Sequence, residues 1–127
     1  PSATVVLVMG DGTAGFHLSE FDTAVRAAAP IVAVIGNDAR WNAEHVIQMR
    51  DYGADRLIGC DLRATRYDAA VAGLGGHGEH VMALVDLAPA LGRALASGLP
   101  ACVNVEIYSH AAPNFVHDGT IPPEARK

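Results

Sequence analysis

Long apolar runs alternate along the chain with stretches of amphipathic spacing. Val5 to Met9 and Ile31 to Ile35 are continuous β-branched and aliphatic runs, the pattern of parallel strands buried on both faces. Between them Leu18, Phe21, Val25 and Ala28 recur at three- and four-residue spacing, the stripe of a helix that carries the chain back to a neighbouring parallel strand. The predicted unit is βαβ. Asn42 is placed to cap a helix over 43–50 that Asp51-Tyr52-Gly53 ends, and 53–64 reads as a long connection across the sheet end. Thr65, with Asp68 three residues on, opens a further helix whose stripe is Tyr67, Ala70, Val71 and Leu74 and whose stop is Gly75-Gly76. A short strand over 79–82 follows. Asp86 then caps a helix bearing Leu87, Ala90, Leu91, Ala94 and Leu95, and Gly98 and Pro100 separate it from a strand over 101–107. The expected fold class is α/β, an open and mostly parallel sheet with helices on both faces.

The chemistry sits where the first two runs end. Gly10-Asp11-Gly12-Thr13 closes the first run, and Asp38 closes the second 27 positions after Asp11. Open parallel sheets bind ligands outside the carboxyl ends of their strands, so these two segments are expected to be neighbours. Two carboxylates there suggest a metal site. Glycines let a ligand approach the backbone, and the amides of Gly12, Thr13 and Ala14 are placed to meet an anion such as phosphate. Hard carboxylate oxygens suit magnesium, which commonly bridges one or two carboxylates to phosphate oxygens.

These residues carry a resemblance. Gly10-Asp11-Gly12-Thr13, Glu20 to Arg26, Pro30 and Asn37-Asp38 with Trp41 resemble the thiamine diphosphate motif of the acetolactate synthase, benzaldehyde lyase and pyruvate decarboxylase superfamily. Gly53, Arg56, Gly59, Tyr67, Gly75, Gly78, His80-Val81 and the run from Pro100 to Val105 extend the similarity toward the benzaldehyde lyase and 2-hydroxyacyl-CoA lyase branch, so that it covers most of residues 4 to 107.

The resemblance implies a cofactor, thiamine diphosphate with Mg2+, and a role for each matching position. Asp11 and Asp38 would ligate magnesium through their side chains and Arg40 through its backbone carbonyl, while Gly10, Gly12 and Thr13 complete the cofactor-binding set. Ala43, Glu44 and Ile47 would lie near the substrate on the helix that begins near Trp41. Glu44 stands where pyruvate decarboxylases carry a catalytic glutamate, which tilts the reading toward a lyase or carboligase that moves a proton at the carbanion. An acetolactate synthase-like transferase of 2-oxo acids is the alternative within the family. A non-catalytic magnesium and phosphate module, or a folded segment that binds nothing alone, are the alternatives outside it. The family has Asn-Asn where this chain has Asn37-Asp38, so an additional negative charge faces the diphosphate.

Relatives in this superfamily are several times longer, and their cofactor lies between a diphosphate-binding and a pyrimidine-binding domain. The 127 residues therefore read as an incomplete thiamine diphosphate-binding fold. Residues 1–108 form the C-terminal part of a larger enzyme and 109–127 a tail or lid, and this chain alone is expected to be inactive. The implied partners are a small carbonyl substrate, with acyl-CoA among the options, the remainder of the enzyme and other subunits.

Composition narrows the rest. A net charge of −5 without a basic cluster argues against nucleic acid and anionic membranes. No apolar run approaches the ~20 residues of a membrane span. Cys60 and Cys102 lack a CxxC pattern and read as reduced core thiols of a cytoplasmic protein. His77 and His80 imitate a metal pair but lie between a helix stop and a strand, so they read as structural, as does a partly exposed His45. Trp41 reads as a packing anchor at the start of its helix.

Overall fold

The computed structural model describes residues 3–110. Four parallel strands form one sheet in the order β1 (Val5–Gly10), β2 (Ile31–Asn37), β4 (Ala101–Glu106), β3 (His77–Val81). Helices α1 (Asp11–His17) and α2 (Glu20–Arg26) link β1 to β2. Next come α3 (Asn42–Tyr52) and a short 3-10 turn at Ala54–Arg56. Helix α4 (Tyr67–Gly73) precedes β3, and α5 (Leu84–Ala96) connects β3 to β4. The expected open parallel α/β sheet is therefore present.

Alternation along the central strands divides the core in two. On one face Ala33, Ile35 and Cys102 pack against Ala14, Phe21, Tyr67 and Val71 of α1, α2 and α4. On the other face Val32, Val81, Ala101 and Val103 pack against Ala90 and Ala94 of α5. Successive residues of a strand point to opposite faces, which is why the buried neighbours Val32 and Ala33, and Ala101 and Cys102, fall into different clusters. Cys102 lies in the first cluster without a disulfide, and Cys60 is likewise buried and free. Burial pushes the Cys102 thiol up to about 12.

Several expectations shift. The first run is not buried on both faces: β1 is an edge strand with β2 as its one neighbour, and Val8 is 74% exposed and Val5 53%. Met9 packs against the first cluster, whereas Val5, Val6, Leu7 and Val8 are exposed. Two helices stand where one was expected between the strands: Leu18 lies in the break between α1 and α2, and Ala28 lies beyond α2 in a left-handed conformation, φ 48°. Helix α3 begins at Asn42 itself, with Trp41 in the cap position. Gly53 ends it at φ 83°, a conformation glycine adopts without steric cost. Thr65 and Asp86 cap nothing: Arg66 and Ala83 precede α4 and α5, and neither helix start has a side-chain cap. The expected tail or lid begins at Ser109, and all but its first two residues lie outside the described residues. No helix among the described residues is long and apolar enough to cross a membrane.

Candidate functional site

The register of β1 on β2 builds the site. Gly10 pairs with Gly36, so Asp11 and the segment Asn37-Asp38 leave the sheet side by side at its carboxyl end. Asp11 is not in a loop, as a turn motif would suggest. It is the first residue of α1, and the adjoining amides of Gly12 and Thr13 are among those a helix leaves unpaired at its start.

One cleft of about 320 Å³ gathers nearly all the candidates. Gly10, Asp11, Gly12 and Thr13 line it from β1 and α1, Asp38 and Arg40 from the turn after β2, and Ala43 and Glu44 from α3. Ile47 is half-buried one turn further along α3 and is not among its lining residues. Trp41 and Glu44 also line a second cavity of about 340 Å³ with Phe16, Gln48 and Ile58. They form the partition between the two. Glu44 is exposed and has no hydrogen-bond or ion-pair partner among the described residues.

Asp11 is 1% exposed, yet its Oδ2 has no hydrogen-bond partner. Burial raises the carboxyl above its ordinary value; the Gly12 and Arg40 amides oppose that and the Asp38 charge adds to it. An unpartnered buried carboxylate oxygen costs about 1–3 kcal/mol or more, and a cation is the group that removes this cost. The Tyr67 hydroxyl, 3.0 Å from the Asp11 carbonyl oxygen, donates to it and ties α4 to the start of α1.

The turn that carries Asp38 and Arg40 is held from outside the cleft. The Trp41 amide donates to Cys60 O at 2.8 Å and the Leu62 amide to Ala39 O at 2.8 Å, while the Arg40 guanidinium meets Asp61 at 3.0 Å. The Trp41 indole packs on Gly12, and its ring centroid is 5.0 Å from that of Phe16.

Among the described residues no three His, Cys, Asp or Glu side chains converge as metal ligands. Two carboxylates and a backbone carbonyl, with phosphate oxygens and water, make a hard all-oxygen set that suits magnesium. The donor chemistry and the orphaned Asp11 oxygen thus fit the implied metal and diphosphate. His77 and His80 do not converge. His77 pairs with Glu79 at 2.8 Å, which Arg93 also holds, and His80 pairs with Glu106 at 2.9 Å. His45 is half-buried, and its Nδ1 is buried without a partner.

Sequence reasoning missed Tyr67 as a support for Asp11, and it missed a buried cluster of Asn37, Asp68 and Asn104 beneath the turn. One signal was present: Asn104 interrupts the apolar run 101–105, and a polar side chain at a buried strand position needs partners.

Fold and cleft define an α/β domain with an acidic, glycine-lined site at the carboxyl ends of parallel strands. The chain belongs to the family described as thiamine pyrophosphate enzyme, C-terminal TPP binding domain, which matches residues 1–105. It is 49% identical over 106 residues to the acetolactate synthase large subunit IlvG of Mycobacterium tuberculosis, covering 83% of this chain and 19% of that protein. It is 42% identical over 78 residues to 2-hydroxyacyl-CoA lyase 2 of Mus musculus, covering 61% of this chain and 12% of that one. The chain thus spans about a fifth or less of these relatives. In fold it is similar to the thiamine diphosphate-dependent 4-hydroxybenzoylformate decarboxylase of Rhodococcus jostii, with a TM-score of 0.79 at 22% identity over 88% of this chain and 21% of that one.

Proposed function

We propose that these residues form the diphosphate- and magnesium-binding part of a longer thiamine diphosphate-dependent enzyme that cleaves or forms a C–C bond next to a carbonyl. The observation that carries the reading is the buried, unpartnered oxygen of Asp11, a residue that lines the same cleft as Asp38. Asp11 and Asp38 hold magnesium, the Arg40 carbonyl supplies the third protein ligand, and Gly12 and Thr13 present amides to the diphosphate. When bound, the cofactor supplies the carbanion-stabilising chemistry.

The chain's own contribution is position and one proton. Glu44, unpartnered on the partition between the two cavities, moves that proton at the reacting carbon, and Ala43 and Ile47 flank the substrate. This favours a lyase or carboligase of the 2-hydroxyacyl-CoA lyase kind. A synthase acting on 2-oxo acids is supported instead by the higher identity and longer match to the mycobacterial acetolactate synthase subunit.

Further polypeptide belongs to the working enzyme. The apolar, exposed residues of β1 and the groove of about 350 Å³ that Leu7, Val8, Phe21 and Ile31 help to line are surfaces for other domains or subunits, a pyrimidine-binding domain among them. The test is to supply the full polypeptide containing these residues with thiamine diphosphate, magnesium and either a 2-hydroxyacyl-CoA or a 2-oxo acid. Aldehyde release from the thioester supports the lyase. Condensation of the oxo acid alone supports the synthase, and no cofactor binding at all contradicts both.

A further inference from the structure

The turn that presents Asp38 and Arg40 depends on an unfavourable backbone conformation. Ala39 lies at φ 53°, the left-handed region that is sterically unfavourable for a residue with a Cβ. Two contacts hold it there: its carbonyl accepts from the Leu62 amide at 2.8 Å, and its amide donates to Asn37 Oδ1 at 3.2 Å.

The second contact is the end of a buried relay. Asn37 Nδ2 donates to Asn104 Oδ1 at 3.1 Å, and Asn104 Nδ2 donates to Asp68 Oδ1 at 3.2 Å. Both amides also donate to the Thr65 carbonyl, at 2.9 and 3.2 Å. Asn37, Asn104 and Asp68 are each 4% exposed or less. The other end is anchored by Arg66, whose Nη2 lies 2.6 Å from Asp68 Oδ2.

The order of donors and acceptors has a cause. An ionised carboxylate only accepts, so with the Thr65 carbonyl it fixes the Asn104 amide with its nitrogen toward Asp68. The Asn104 oxygen must then face Asn37, whose nitrogen must answer it. That leaves the Asn37 oxygen for the Ala39 amide. Burial alone would raise the Asp68 carboxyl, but the hydrogen bonds from Arg66 and Asn104 hold it below its ordinary value, which keeps it an acceptor at neutral pH.

We infer that Asp68, through Asn104 and Asn37, is a positioning residue that holds the Asp38–Arg40 turn in its metal-binding shape; this rests on the function proposed above. It touches neither the cleft nor the ligand groups.

The experiment uses Asp68→Asn and Asn104→Ala in the full polypeptide, with Arg26→Gln as the control that removes an exposed ion pair, that with Asp22, outside the relay. Hydrogen exchange is followed in a peptide spanning 37–41, and calorimetry measures magnesium affinity in the presence of thiamine diphosphate. Both test variants should exchange faster in that peptide and bind magnesium about tenfold more weakly, the size of effect expected when a group that orients metal ligands is lost. Turnover at saturating magnesium and cofactor should be preserved, and the control should match wild type in both readouts.

A purely structural role would lower the melting temperature and leave the magnesium half-saturation where it was, and that result overturns the inference. Unchanged exchange at 37–41 in Asp68→Asn overturns it too. If wild type binds no magnesium or cofactor, the proposed function fails and this inference with it; if wild type binds and the variants bind equally well, only the relay is wrong.

Discussion

A Cβ on Gly12 would stand 2.8 Å from Cδ2 of the Trp41 indole. The first turn of α1 and the start of α3 therefore meet through a bare Cα, and the segments bearing Asp11 and Asp38 meet with them. Gly12→Ala forces the indole away, at a cost of about 1–3 kcal/mol for overpacking. The melting temperature should fall by several degrees, and magnesium should bind more weakly because the two carboxylates separate. Unchanged near-ultraviolet circular dichroism from Trp41, the chain's single tryptophan, would contradict this packing.

Asp11 gives a pH dependence with a defined sign. Its carboxyl in the folded protein is raised above the ordinary 3.8, so the native state holds its proton longer than the unfolded state does. Stability of the metal-free protein is accordingly lost as pH rises through the window above 3.8, and the penalty is full beyond the raised value. Asp11→Asn lacks the penalty. In chelator it should be more stable than wild type at pH 7 by about 1 kcal/mol or more, with the difference vanishing near pH 3. Melting curves across pH, repeated with magnesium, check this, and the ion should restore stability to wild type only.

Asp38 brings a second carboxylate to the cleft of Asp11. Its charge disfavours ionisation of Asp11, and a divalent cation between the two carboxylates reverses the effect. Asp38→Asn should weaken magnesium binding yet strengthen the binding of thiamine diphosphate in chelator. Titration of the cofactor into both proteins, with and without chelator, measures the two effects. Equal chelator sensitivity would remove the assignment.

Glu44→Gln separates chemistry from binding. The side chain has no partner among the described residues, so the change should leave stability and cofactor affinity as they are. Turnover should fall by about 10²–10⁴-fold, the usual contribution of a positioned acid or base. Steady-state kinetics beside cofactor titration distinguishes this from a loss of binding.

Much of this arrangement was legible in the sequence, for reasons of local physics. The two apolar runs and the paired acids depend on strand patterning and on where parallel sheets bind ligands, and Asp11 and Asp38 do share one cleft. What was not legible depends on long-range packing. The apolarity of β1 announces burial, but its place at the sheet edge leaves Val5 to Val8 exposed. Asp68 reads locally as a helix-opening acid, and its partner Asn104 is 36 residues away; Asn37 and Asn104 are 67 apart. No periodicity connects them. The break between α1 and α2 was hidden because Leu18, which lies in it, keeps helical spacing with Phe21 and Val25 of α2.

The most direct test of the account is equilibrium binding of thiamine diphosphate and magnesium to the full polypeptide and to its Asp11→Ala variant, with circular dichroism to establish that both are folded. Wild type should bind the cofactor in a magnesium-dependent manner, and a folded variant should lose both cofactor and bound metal. A folded Asp11→Ala protein that retains cofactor at wild-type affinity would contradict it.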